Sequence, residues 1–222
     1  MANPRVGVIL SGCGVQDGSE IHEAVFTLYE LARNGATAIC MAPDAPQPDV
    51  VDHRTGKAMS QPRNMLTEAA RIARGKIRDI REVKASELDA VILPGGFGAA
   101  KNLCTFATKG VDCTVNPEVS RLLLELHAAK KPIGAICIAP TVVARVFGSK
   151  GIPVQLTIGH DADTAAKLEA MGAKHVGQDV REIVVDSVNR IISTPAYMLA
   201  ETIDEAADGI AKLVKEVVKL AG

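Results

Sequence analysis

Lys131-Pro132-Ile133-Gly134-Ala135-Ile136-Cys137-Ile138-Ala139-Pro140, residues 131–140, reads as a buried strand that turns at a cysteine and gives way to a helix at Pro140. The same strand-to-helix rhythm extends outward in both directions. Upstream, Arg5 to Leu10 is a continuous β-rich run. Glu20 to Arg33 follows, carrying Ile21, Ala24, Val25, Leu28, Leu31 and Ala32 on one helical stripe stopped by Asn34-Gly35. Thr37 to Ala42 is the second strand. Ala90 to Leu93 is another, ending in Pro94-Gly95-Gly96-Phe97-Gly98, and Pro117 to Lys130 is a helix with proline in its first turn. Short, fully apolar strands alternating with amphipathic helices predict an α/β fold: a mostly parallel central sheet with helices on both faces.

The remaining segments fill in the frame. Residues 43–62 hold four prolines and predict an irregular excursion, followed by helical spacing from Asn64 to Arg74. Past Val154, short strands at Gln155 to Thr157 and Lys174 to Val176 flank a helix over Asp163 to Met171. Ile183 to Asp186 and Ile191 to Ser193 read as a hairpin, and Met198 to Leu220 as a closing amphipathic helix. No repeat or linker divides the chain, so residues 1–222 are expected to form a single domain.

Composition removes several function classes. Lys+Arg number 25 and Asp+Glu 26 in 222 residues, a balance with no electrostatic footprint for nucleic acid or an anionic membrane. With no Trp, two Tyr and four Phe, a base-stacking surface is hard to assemble. No apolar stretch approaches the ~20 residues of a membrane span. The run from Met1 to Leu10 is too short for a secretory h-region, so the expected location is cytoplasmic. Five cysteines without paired spacing support neither a disulfide framework nor a zinc site, and no metal or other cofactor is expected.

Cys137 carries the sharpest chemical signal. A nucleophile elbow requires small residues two positions either side, and Ala135 and Ala139 supply them. At a helix start, unpaired N–H groups and the helix dipole favour the thiolate, which predicts a depressed thiol pKa. Gly95 and Gly96 permit close backbone approach, and an N–H there together with that of Ile138 would make a pair of oxyanion donors. Asp17 and Glu20 fall at i and i+3 at the start of the first helix, as a proton-transfer carboxylate or as an acidic capping box. His160 follows a strand end and is the histidine best placed to partner a thiolate. Cys13, in Gly12-Cys13-Gly14, faces the same sheet edge as a possible second reactive thiol. Cys104 and Cys113 fall in a segment read as a polar loop, and Cys40 reads as a buried core thiol. Gly12-x-Gly14-x-x-x-Gly18 with Asp44 imitates a dinucleotide fingerprint, although the third glycine comes one position late.

Longer strings carry a resemblance. They are Gly7-Val8-Ile9-Leu10-Ser11-Gly12-Cys13-Gly14-Val15, Asp17-Gly18-Ser19-Glu20-Ile21-His22-Glu23-Ala24, Pro94 to Leu103, Cys137-Ile138-Ala139-Pro140 and Thr194-Pro195-Ala196-Tyr197-Met198. These resemble the DJ-1/PfpI superfamily of the class I glutamine amidotransferase-like fold, and within it the ElbB-like, sigma cross-reacting protein branch linked to lycopene and isoprenoid synthesis. The resemblance implies a three-layer, flavodoxin-like sandwich, usually a homodimer, with Cys137 as nucleophile and a first-helix glutamate hydrogen-bonded to it. Counting back from Asn34-Gly35 favours Glu23, with Glu20 as the other candidate. It also implies a glutathione- and metal-independent glyoxalase, a lyase taking a small dicarbonyl from glyoxal to glycolate. The alternative is a non-catalytic stress-response protein in which Cys137 senses oxidants. Ile138 stands where protease-like relatives carry histidine, and neither His160-Asp161-Ala162 nor His175-Val176-Gly177 supplies the His-x-Glu of an amidotransferase.

Overall fold

A computed structural model describes residues 3–222; Met1 and Ala2, read above with the first strand, lie outside the described residues. The central sheet is built from β1 (Arg5–Ile9), β2 (Thr37–Ala42), β5 (Ile77–Asp79), β6 (Ala90–Leu93), β7 (Ile133–Ile136), β10 (Val184–Asp186) and β11 (Ile191–Thr194). Their spatial order is β10-β11-β7-β6-β1-β2-β5, and every neighbouring pair is parallel except β10 with β11. The helices are α1 (Ile21–Arg33), α2 (Met65–Ile72), α3 (Phe106–Lys109), α4 (Pro117–Ala128), α5 (Pro140–Gly148), α6 (Ala162–Ala170) and α7 (Ile203–Ala221).

Side-chain alternation explains the three layers. Val6, Val8 and Leu10 of the first strand segment, with Ala90 and Ile92, join the core under α1 and α7 through Leu31, Leu213 and Val217. Ile9, Val91, Leu93, Ile133 and Ala135 point the other way, into the core under α4 and α5 with Leu122, Leu126 and Phe147. Both faces are covered, so each strand is apolar at nearly every position, and each fully buried Leu or Ile contributes about 1.5–3 kcal/mol. Helix starts are set by Glu20, Asn64, Asn116 and Asp161, whose side chains accept first-turn N–H groups.

The structure differs from the reading at four places. The edge strand β5 pairs Cys40 with Ile77, a strand absent from the sequence reading. The proline-rich excursion contains a small hairpin of β3 (Val51–Asp52) and β4 (Lys57–Ala58). The short strands β8 (Gln155–Leu156) and β9 (Lys174–His175) pair with one another in parallel, outside the main sheet. The closing helix begins at Ile203 rather than Met198, because Ala196–Met198 forms a tight 3-10 turn first and Thr202 with Glu205 then caps α7.

Candidate active site

The chain leaves β1 toward β2 on one side and β6 toward β7 on the other, so a crevice opens at the carboxyl ends of the central strands. Cys137 sits there, immediately after β7. Its φ of 60° is the left-handed conformation, costly for a residue with a side chain, and the fold holds it by the Cys137 N–H donating to the Thr194 carbonyl at 3.0 Å. That bond continues the β7–β11 register by one residue. Ala135 and Ala139 are fully buried on either side, as the elbow requires.

Glu23, on the first turns of α1, is fully buried beside this sulfur. Its Oε2 accepts the Gly95 N–H at 2.8 Å, its Oε1 accepts the Tyr197 N–H at 3.4 Å, and its carboxyl and the Cys137 thiol act on each other's ionisation across Gly95. Glu20 is the N-cap, its Oε2 accepting the Glu23 N–H at 2.7 Å. Of the two glutamates, Glu23 is therefore the one in contact with Cys137, while Glu20 caps the helix and lines the cleft. Only glycine fits at 95, since a Cβ there would lie 2.6 Å from Cys137 Cβ and 2.8 Å from Glu23 Oε2. The N–H of Gly95 is consequently committed to Glu23, whereas those of Gly96 and Ile138 act on the Cys137 thiol and draw its pKa down.

Electrostatics couple the pair. Burial, reinforced by Glu20, pushes the Glu23 carboxyl up to about 8 against the pull of the Gly95 and Tyr197 N–H groups. Burial and then the neighbouring Glu23 raise the Cys137 thiol, with the Gly96 and Ile138 N–H groups drawing it back. The sequence expectation of a depressed thiol pKa fails on these two causes; in addition α5 begins three residues downstream, so its dipole acts from farther away. Two buried acids in contact lose their protons stepwise, and at neutral pH Glu23 keeps its own. A protonated Glu23 no longer opposes ionisation of the thiol.

The cleft above the sulfur encloses about 420 Å³, with walls from Val15, Phe97, Phe106, Ile138, Tyr197 and Met198 and with Glu20 and Asp161 as acids. His160 is not part of it: the ring is exposed, its Nε2 3.6 Å from Asp179 Oδ1. Asp17 lies outside α1, its Oδ2 accepting the Val51 N–H at 2.8 Å. Cys13 is half-buried in the preceding loop, its thiol raised by burial. Cys104 and Cys113 are core residues rather than members of a polar loop. In the turn that holds Gly12, Gly14 and Gly18, the Gly14 N–H donates to the Ser19 carbonyl, the Gly18 N–H to the Gly14 carbonyl and the Ser11 N–H to Ser19 Oγ. Among the described residues no three His, Cys, Asp or Glu side chains gather as a metal set, and no helix is long and apolar enough to cross a membrane.

Sequence reasoning missed Tyr197. It acts on Glu23 through its backbone N–H, and its Oη lies 2.7 Å from His22 Nδ1. The available signal was position, since Tyr197 follows the carboxyl end of β11 at the same edge of the sheet.

Comparison with known proteins agrees with this architecture. A rat protein named ES1 protein homolog, mitochondrial, is 49% identical over 228 residues, covering 98% of this chain and 84% of the relative. A human protein named glutamine amidotransferase-like class 1 domain-containing protein 3, mitochondrial, is 48% identical with the same coverage. A crystal structure from Ehrlichia chaffeensis, described as an isoprenoid biosynthesis protein with amidotransferase-like domain, superposes with a TM-score of 0.90 at 38% identity, covering 97% of this chain and 99% of that one. The mitochondrial relatives overturn the cytoplasmic location expected from the N-terminus, because a short apolar run excludes only a secretory signal. The DJ-1/PfpI family pattern matches residues 13–196, and the chain belongs to the DJ-1/PfpI family.

Proposed function

We propose that this protein is a cofactor-independent glyoxalase-type enzyme that converts glyoxal to glycolate at Cys137. The observation that carries the reading is a fully buried carboxyl, Glu23, held by Gly95 and Tyr197 against a thiol in an elbow turn, with a pKa pushed up to about 8. A carboxyl poised near neutral pH can both give and take a proton, which the isomerisation of a dicarbonyl demands.

The Cys137 thiol releases its proton to solvent and its thiolate adds to one aldehyde carbon, and the resulting oxyanion takes the proton of Glu23 to give a hemithioacetal. The Gly96 and Ile138 N–H groups, which favour negative charge on the sulfur, are the donors for that oxyanion. Glu23, now ionised, removes the hydrogen from the same carbon, leaving an enediolate, and returns it to the second carbon, while the proton of the first carbon's hydroxyl passes to the second carbon's oxygen. The product is a glycolyl thioester on Cys137, which water hydrolyses to glycolate and the free thiol. Glyoxal and one water supply every atom of glycolate, so the cycle needs no redox partner. His160 has no step, since it pairs with Asp179 outside the cleft.

The test is glycolate formation from glyoxal by the purified chain. Wild-type turnover with loss of activity in Cys137→Ala is the expected result. Equal turnover by the two proteins refutes the assignment.

A further inference from the structure

Two cysteines outside the Cys137 site form a cluster of their own. Leu103–Thr105 runs antiparallel to Thr114–Asn116: the Thr105 N–H donates to the Thr114 carbonyl at 2.9 Å, the Asn116 N–H to the Leu103 carbonyl at 2.8 Å, and Cys104 stands opposite Val115. Side chains two residues apart share a face, so Cys113 projects to the same side as Val115 and Cys104. Both thiols are buried in one core cluster, and each perturbs the ionisation of the other. The Cys104 Sγ also donates to the Ala99 carbonyl at 3.3 Å, and the Cys113 Sγ lies 3.9 Å from Met171 Sδ.

The segment between them is short. It comprises α3, a single turn whose N-cap Thr105 makes no side-chain capping bond, and a 3-10 turn at Gly110–Asp112. Its Phe106 and Ala107 line the Cys137 cleft. Local opening of such a short, uncapped turn gives a small oxidant access to sulfurs that are covered in the closed state.

We propose that Cys104 and Cys113 are a modification site, where a peroxide-class oxidant joins them in a reversible intramolecular disulfide that fixes the Phe106-bearing wall of the cleft. The Cys113 sulfur attacks peroxide and becomes a sulfenic acid, with release of one water. The Cys104 sulfur then attacks the Cys113 sulfur and expels a second water, so two thiols and one peroxide give one disulfide and two waters. Cys113 is the first to react because the Cys104 thiol, working against burial, and Arg145 hold its thiol down. This chemistry is independent of the reaction proposed for Cys137.

The experiment uses the folded chain carrying Cys13→Ser, Cys40→Ala and Cys137→Ser, treated with hydrogen peroxide and digested with trypsin without reductant. The expected result is an intact mass lower by two hydrogens, a link between the peptides Asn102–Lys109 and Gly110–Arg121, and reversal by dithiothreitol. Free thiols, or separate sulfinic acids on the two cysteines in a chain still folded by circular dichroism, overturn the proposal. Should the triple variant not fold, the wild-type chain gives the same readout, because neither peptide contains another cysteine. Tryptic cleavage after Lys109 in the folded chain is expected to slow once the link is present; unchanged cleavage refutes fixation of the wall.

Discussion

Replacing Glu23 by glutamine should invert the order of stability of the two proteins as pH rises. In the native protein the carboxyl is held at about 8 against an ordinary 4.5, so between those values the folded chain keeps a proton that the unfolded chain has released. Stability is thus fully present below about pH 4.5 and is lost as pH climbs through 8. At 1.36 kcal/mol for each pH unit, the loss across that window is on the order of 5 kcal/mol. Glutamine does not titrate. Its amide oxygen can still accept the Gly95 N–H, but its NH₂ then faces the Tyr197 N–H, which loses a 3.4 Å acceptor at a cost of about 1 kcal/mol. Glu23→Gln should therefore be less stable than wild type by about 1 kcal/mol at pH 4.5 and more stable by roughly 4 kcal/mol at pH 8.5. Urea unfolding at a series of pH values measures both proteins, with equal m-values confirming that the same surface is exposed. A stability difference that stays constant from pH 4.5 to 8.5 refutes the reasoning, because it means the Glu23 carboxyl titrates normally.

Two further outcomes follow from the same geometry. Gly95→Ala places a methyl group 2.6 Å from Cys137 Cβ, and the displacement should lower glyoxal turnover by about 100-fold, measured as kcat at saturating substrate. A variant retaining wild-type kcat would show that the close approach of the 94–98 turn is dispensable. His160→Gln should leave kcat/KM within about twofold of wild type, because its ring is paired with Asp179 outside the cleft; a larger drop would bring the imidazole back into the reaction.

The central strands were legible because burial on both faces writes them as unbroken apolar runs, as in Ala90–Leu93 and Ile133–Ile136. The edge strand Ile77–Asp79 was not, since it is short and places Arg78 and Asp79 between solvent and sheet. The i, i+3 spacing singled out Asp17 and Glu20, while Glu23 came forward only through the family resemblance, because one turn of depth separates a cap from a buried acid and spacing alone does not resolve it. Tyr197 contributes a backbone N–H, which no side-chain pattern announces. Cys104 and Cys113 are surrounded by Thr105, Thr108, Lys109 and Asp112, letters that read as a surface, while the paired backbone turns both sulfurs inward.

The hydrogen bond from Cys137 to Thr194 ties the nucleophile to the last strand of the sheet. During synthesis, residues 5–9, 90–93 and 133–136 emerge well before Thr194 and Tyr197, so a nascent chain has the cysteine long before it has the two backbone groups that hold the elbow and the acid. Assembly of the reactive pair is thereby postponed until residues 194–197 have been made, and shorter nascent chains carry an unarmed thiol.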